Sequence, residues 1–178
     1  MKGLLTGALV ATLLAGAAVA QPLDAEARAA LDARIAQFEA ALDAGDARTA
    51  GEVVPPKMLA VMAERFGLEP AQLLDLMAAE MAQTMQDVTV ETYDMDMEAA
   101  TTGVTPTGRA YMIIPTTTRV VVDSQRMEGT SPTLAFADEG TWYLVRIDGA
   151  QQAAFLAAAY PEFADVTFPA SSMTFLED

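Results

Sequence analysis

The chain has 178 residues, with 25 Asp and Glu against 10 Lys and Arg, a formal net charge of −15, and neither cysteine nor histidine. So anionic a surface repels phosphate backbones and anionic lipid, which sets nucleic acid and membrane surfaces aside as partners. The missing thiol and imidazole remove disulfides, thiolate metal sites, cysteine nucleophiles and the commonest general base, and with them most hydrolase and zinc mechanisms.

Residues 1–20 open with Lys2, run apolar from Leu4 to Leu14 and end in Ala15-Gly16-Ala17-Ala18-Val19-Ala20, the three parts a signal peptidase reads. The apolar run is shorter than the ~20 residues that span hydrocarbon and contains Thr6 and Thr12, so a cleavable signal is expected rather than an anchor, with no membrane span after cleavage. Cleavage after Ala20 places the protein in a periplasm or outside the cell. Residues 21–178 then have the usual size of a single domain, built without disulfides.

From Asp24 to Ala44, Leu31, Ile35, Phe38 and Leu42 recur at helical spacing, with Asp24 as N-cap and Gly45 just past the end. Residues 46–54 are undecided. Pro55-Pro56 open a second helix through Phe66, closed by Gly67. A third starts near Pro70, and its stripe Leu73, Leu74, Met77, Met81 and Met85 predicts one apolar face.

After Gln86 the period becomes two. Val88 and Val90 share one parity while Tyr93, Met95 and Met97 share the other, which predicts a bulge near Thr92 or a strand covered on both faces. Residues 99–107 read as loop. Strands are expected at 109–114 and 116–123, one bent strand or two, with Pro115 marking an edge or a bulge because it has no N–H to donate. A hairpin is expected between 133–137 and 141–147 through the three-residue loop Asp138-Glu139-Gly140. Asp148 is expected to cap a last helix over 149–159, which Tyr160 ends because Pro161 follows it. Val166-Thr167-Phe168 is the expected final edge strand.

Helices followed by an antiparallel meander predict an α+β fold: N-terminal helices packed on a curved antiparallel sheet, with one late helix. This order of elements, together with the strand Gly140-Thr141-Trp142-Tyr143-Leu144-Val145, resembles the NTF2-like superfamily, which includes ketosteroid isomerase and the SnoaL cyclases. The resemblance implies a pocket between helices and sheet. It also implies that, in an enzyme of this kind, a carboxylate takes a proton while a tyrosine stabilises the oxyanion. Asp123 with Tyr93, Tyr111 or Tyr143 are the residue types available for that chemistry, against a plainer role as strand-end charge and core aromatics.

Asp94-Met95-Asp96-Met97-Glu98 has the spacing of a calcium loop, but its sixth and twelfth positions hold Ala99 and Thr105 where Gly and Glu are needed, so a solvated strand face is expected. Met77, Met81 and Met85, and Met95 with Met97, suit copper(I) by chemistry and a packed core by spacing; core is the expectation. Tyr160-Pro161-Glu162-Phe163 either docks a partner or pins the tail to the domain, the second being expected. No cofactor and no metal are expected. Arg119 and Arg146 interrupt apolar strands, and each offers a planar fork for a carboxylate or phosphate. The function expected is therefore an exported, non-enzymatic module that binds a small, partly apolar molecule or a protein in a cleft lined by Trp142, Tyr143, Tyr111, Arg119 and Arg146. The alternatives are a cofactor-free isomerase or cyclase of the NTF2-like kind, and a homodimer joined through its sheet face.

Overall fold

The computed structural model describes residues 23–177, and the export segment read at 1–20 lies outside them. α1 (Ala25–Asp43) starts where predicted, the Asp24 carboxylate accepting from the Ala27 N–H at 2.7 Å. Gly45 follows it at φ 67°, a left-handed conformation that favours glycine. Residues 46–54 contain a short helix, α2 (Ala47–Gly51), capped by Asp46, whose carboxyl the Thr49 N–H and hydroxyl hold below its ordinary range. α3 (Pro56–Phe66) and α4 (Pro70–Asp87) begin at their prolines, with Gly67 left-handed between them. Along α4 the apolar stripe loses its cover: Leu73 is buried against α3, whereas Met85 is exposed. Among the described residues no helix is long and apolar enough to cross a membrane.

The chain passes directly from α4 into β1 (Val88–Met95) and then builds a curled, six-stranded antiparallel half-barrel. β3 (Ala110–Val122) and β4 (Gln125–Asp138) form its long central hairpin. On the outer side of β3, β1 pairs with Thr116 to Val122 and β2 (Thr101–Val104) with Ala110 to Ile113. On the outer side of β4, β5 (Thr141–Arg146) pairs with Thr133 to Asp138 and β6 (Ser172–Phe175) with Met127 to Thr130. The bulge expected near Thr92 is present, with Glu91 the extra residue between Val90 and Thr92.

Pro115 lies at neither an edge nor a bulge: it faces Pro132 in the middle of the central hairpin. Opposed residues that do not bond each other aim their backbone groups outward. Here outward means the gap between β1 and β2 on one side and between β5 and β6 on the other. No partner there needs a proline N–H, while the two carbonyls accept from Asp96 N–H and Ile147 N–H, each at 2.9 Å. The paired prolines thus sit at a waist that divides the sheet into two halves.

Five local expectations differ from the structure. β4 is far longer than 133–137, because Asp123-Ser124 makes a tight turn with both residues left-handed (φ 51° and 65°) and no glycine to announce it. The next hairpin has a two-residue turn, Glu139-Gly140, with Asp138 still paired to Thr141. Asp148 does not cap the last helix, α5 (Ala150–Ala159); its carboxylate binds the Arg146 guanidinium at 2.7 Å instead. Residues 101–104 are strand rather than loop, and Val166 and Phe168 are packing residues, the last strand falling at Ser172–Phe175.

In the half containing β2 and β5, both faces of the sheet are covered. α1 packs Leu31 and Ile35 against Met95, Met112, Ile114, Ala135, Trp142 and Leu144. On the opposite face Met58 of α3, Leu156 of α5, Tyr160 and Phe163 close over Leu134, Phe136, Val145 and Ile147. The helix Glu39 belongs to carries a liability: burial, with the nearby Asp43 and Asp94 charges, pushes its carboxyl above the ordinary 4.5. A raised carboxylate disfavours the folded state above that pH and is neutral in effect below it. Glu39→Gln is therefore expected to raise the melting temperature at pH 7, with the gain vanishing below about pH 4 in a melting series.

Candidate functional site

The space between helices and sheet is packed core, so the expected interlayer cleft is not where the candidate residues meet. Trp142 is buried on the α1 face, and Arg34 of α1 donates to its carbonyl at 3.1 Å. Tyr143 and Tyr111 lie on the other face, half-buried, Tyr143 tilted against Phe136 and Tyr111 edge-on to Phe163 at 5.7 Å. Tyr111 also covers Gly103, where any Cβ would enter its ring. Arg146 is exposed and paired with Asp148. Arg119 lines a polar cleft of about 640 Å³ with Thr92, Tyr93, Asp94, Thr117 and Glu128, but its guanidinium is bound to Glu128 at 2.6 Å. Among the described residues these five are thus spread over the two faces of the sheet.

The acid–base grouping is also separated. Asp123 is exposed at the tip of the β3–β4 turn, five positions from the row that holds Tyr93, roughly 16 Å of strand. Tyr111 and Tyr143 lie at the far end of that hairpin. Tyr93 itself packs edge-on to Phe38 at 5.6 Å, and burial lifts its hydroxyl above the ordinary range. Of the acidic pattern, Asp94 ends the strand on its polar side, while Asp96 turns the chain by accepting from the N–H groups of Glu98 and Ala99. Met95 is core, Met97 packs beside it, and Met77 belongs to the separate α3–α4 cluster. Tyr160 and Phe163 are both 2 % exposed, pinning the tail as expected.

A charged cluster that the sequence reading did not assemble joins four elements. Asp138, with its side chain 11 % exposed, accepts from Lys57 at 2.8 Å, Tyr160 at 3.0 Å and Arg109 at 3.2 Å. Arg109 also binds Glu162 at 3.0 Å and the Ala137 carbonyl, and stacks over the Phe136 and Tyr160 rings at 5.6 and 5.5 Å. Burial alone raises the Asp138 carboxyl, but the three donors outweigh it and hold the group below its ordinary 3.8. Burial and the bond to Asp138 push the Tyr160 hydroxyl well above 10. With both carboxylate oxygens occupied by donors, the cluster clamps the fold and leaves no free base. Only the X-Pro break and the Asp-x-Gly turn hinted at it in sequence; its members come from positions 57 to 162.

The half of the sheet below the waist is built differently. One face carries Thr92, Asp94, Thr117, Arg119, Glu128 and Thr130, polar and solvent-facing. The other continues the α1 side, where Phe38 of α1 reaches Tyr93, but farther along it apolar side chains are exposed. At the border lies a band of hydroxyls: Thr116 and Thr133 bond each other at 2.8 Å, while buried Thr118 Oγ1 and Ser131 Oγ find no partner among the described residues. Beyond the band come Val88, Val90, Val120, Met127, Met173 and Phe175, placed on one face by the register. Val90, Met173 and Phe175 are 43 %, 56 % and 68 % exposed. Comparison with protein-family models, with curated proteins and with solved structures finds no match.

Proposed function

We propose that this chain is a non-catalytic binding module, exported by the segment at 1–20, whose working surface is the apolar face of the half-sheet β1-β3-β4-β6 and whose partner is a protein. The observation that carries this is the cluster of Val90, Met173 and Phe175 exposed together on one sheet face. Isolated exposed apolar residues are ordinary, but a contiguous patch of several hundred Å² marks an interaction surface. A sheet face of this kind suits another polypeptide better than a small molecule, since it is open rather than enclosed. We read the architecture as that of a divergent NTF2-like protein; the curled half-barrel with helices on it supports this.

The test is native mass spectrometry of the protein starting at Gln21, isolated gently from its own cells, beside the double variant Met173→Asp, Phe175→Asp. A protein complex in the wild type that disappears in the variant, with the circular dichroism spectrum unchanged, is the expected result. A small-molecule adduct retained by the variant, with no protein complex in either, overturns the proposal.

A further inference from the structure

Resting on that reading, we infer that two copies of this chain join edge to edge, by antiparallel pairing of their β6 strands about a twofold axis through Thr174, with the exposed Met173 and Phe175 of that face meeting across the seam. The sheet's outer edges differ in how they are closed. The outer edge of β5 is occupied, Leu144 N–H donating to the Val53 carbonyl at 2.9 Å. β1 is broken by the Glu91 bulge and carries Glu91 and Asp94, the devices that blunt an edge. β6, like the equally short β2, has no bulge and no charged residue, but it carries the most exposed apolar side chains of the sheet, Met173 and Phe175, against the single Val104 of β2.

The register of β6 shows what its edge offers. Leu176 N–H donates to the Arg126 carbonyl at 2.9 Å, so these two form a bonded pair. Bonded and non-bonded pairs alternate along an antiparallel ladder. Ser172 and Thr174 therefore bond inward to β4, whereas Met173 and Phe175 aim their N–H and C=O groups outward. In the twofold arrangement Met173 of each copy lies opposite Phe175 of the other. Their outward groups make four backbone hydrogen bonds, and thioether and ring meet on the same apolar face.

Charge favours the same arrangement. Two copies, each at −15, repel, and a parallel pairing would set Glu177 against Glu177. The antiparallel twofold instead sets Glu177 against Ser171, in a stretch from Val166 to Phe175 that has no charged residue. The apolar faces of both copies then merge into one continuous surface. A pairing this short buries area at the lower end of the range for specific interfaces, below about 1,200 Å² in total, so the dimer is weak and strengthens as salt screens the charge.

The chain has no cysteine, so a single introduced one reports without background. Opposed non-bonded residues have Cα atoms about 4.5 Å apart, within disulfide reach. Thr174→Cys is expected to cross-link rapidly on oxidation, and Ser172→Cys, which would face Leu176, to cross-link slowly. Sedimentation of the chain starting at Gln21 is expected to show a reversible dimer that tightens with ionic strength. Met173→Pro removes an outward N–H that β4 does not use and is expected to weaken the dimer at least about tenfold, with secondary structure unchanged. Phe175→Lys is a second variant with the same expectation. A monomer at every concentration and salt level, or equal cross-linking of the two cysteine variants, overturns the inference. If either happens while the Met173→Asp, Phe175→Asp variant still loses a partner of different mass, the surface reading stands and self-pairing alone falls.

Discussion

Replacing Asp138 by alanine is expected to destabilise the protein by about 3 kcal/mol, the penalty of leaving cationic and hydroxyl donors without their acceptor in a largely desolvated place. Lys57, Arg109 and Tyr160 all donate to this one carboxylate, so its loss loosens α3, the start of β3 and the turn after α5 together. The pH dependence separates this network from simple packing. Asp138 sits below its ordinary 3.8, so its contribution is present above that pH and is lost as acid protonates it. Lys57 is raised above 10.5 and Tyr160 above 10, so their contributions are present at lower pH and are lost as base removes their protons. Urea denaturation of wild type and Asp138→Ala should therefore differ most between about pH 5 and 9 and converge on either side. Glu139→Gln, next door but exposed, is expected to change stability by less than about 0.5 kcal/mol. An equal loss in both variants, or a gap independent of pH, would show that the carboxylate is not the centre of the clamp.

The second large effect is expected at Phe136, which is fully buried at the meeting of Tyr160 and Phe163, each with its ring centre 4.9 Å away. Phe136→Ala removes a ring that these neighbours cannot fill, for about 3–5 kcal/mol, with the aromatic contacts included in that loss. A domain's whole stability is typically about 5–15 kcal/mol, so the variant is expected to unfold near physiological temperature. Phe66→Ala, at a side chain 57 % exposed on α3, is the matched control and should be nearly neutral. A loss under about 1 kcal/mol at Phe136 would mean that the β2–β5 half of the sheet is not the stability core.

The candidate site was far less legible than the fold. Arg119 and Arg146 stood out in sequence because they interrupt apolar strands, but their meaning depended on partners at Glu128 and Asp148 that strand periodicity cannot name. Trp142 and Tyr143 are adjacent, so alternation sends them to opposite faces and they cannot line one cleft together; only the Trp142 face is turned to α1. The Asp138 clamp was invisible for a different reason: its residues run from position 57 to position 162, and no local pattern records contacts of that range. The open apolar face shows the same limit, since Val90, Met173 and Phe175 read as ordinary strand residues until the register aligns them.

By itself the sequence determined what local physics can decide. Helical spacing, caps and prolines placed α1, α3 and α4, alternation placed the core of β3 and the β4–β5 hairpin, and Tyr160 before Pro161 ended the last helix. It also determined an α+β fold and a chemistry without thiol or imidazole. Which faces are covered depends on long-range packing. The same alternation that makes a strand does not say whether a helix reaches far enough to bury it. Helix cover, with Leu31 and Ile35 of α1 on Met112 and Ile114 and Phe38 edge-on to Tyr93, gives way along the long β3–β4 hairpin to the exposed Val90, Met173 and Phe175, and that separates a filled core from an open surface.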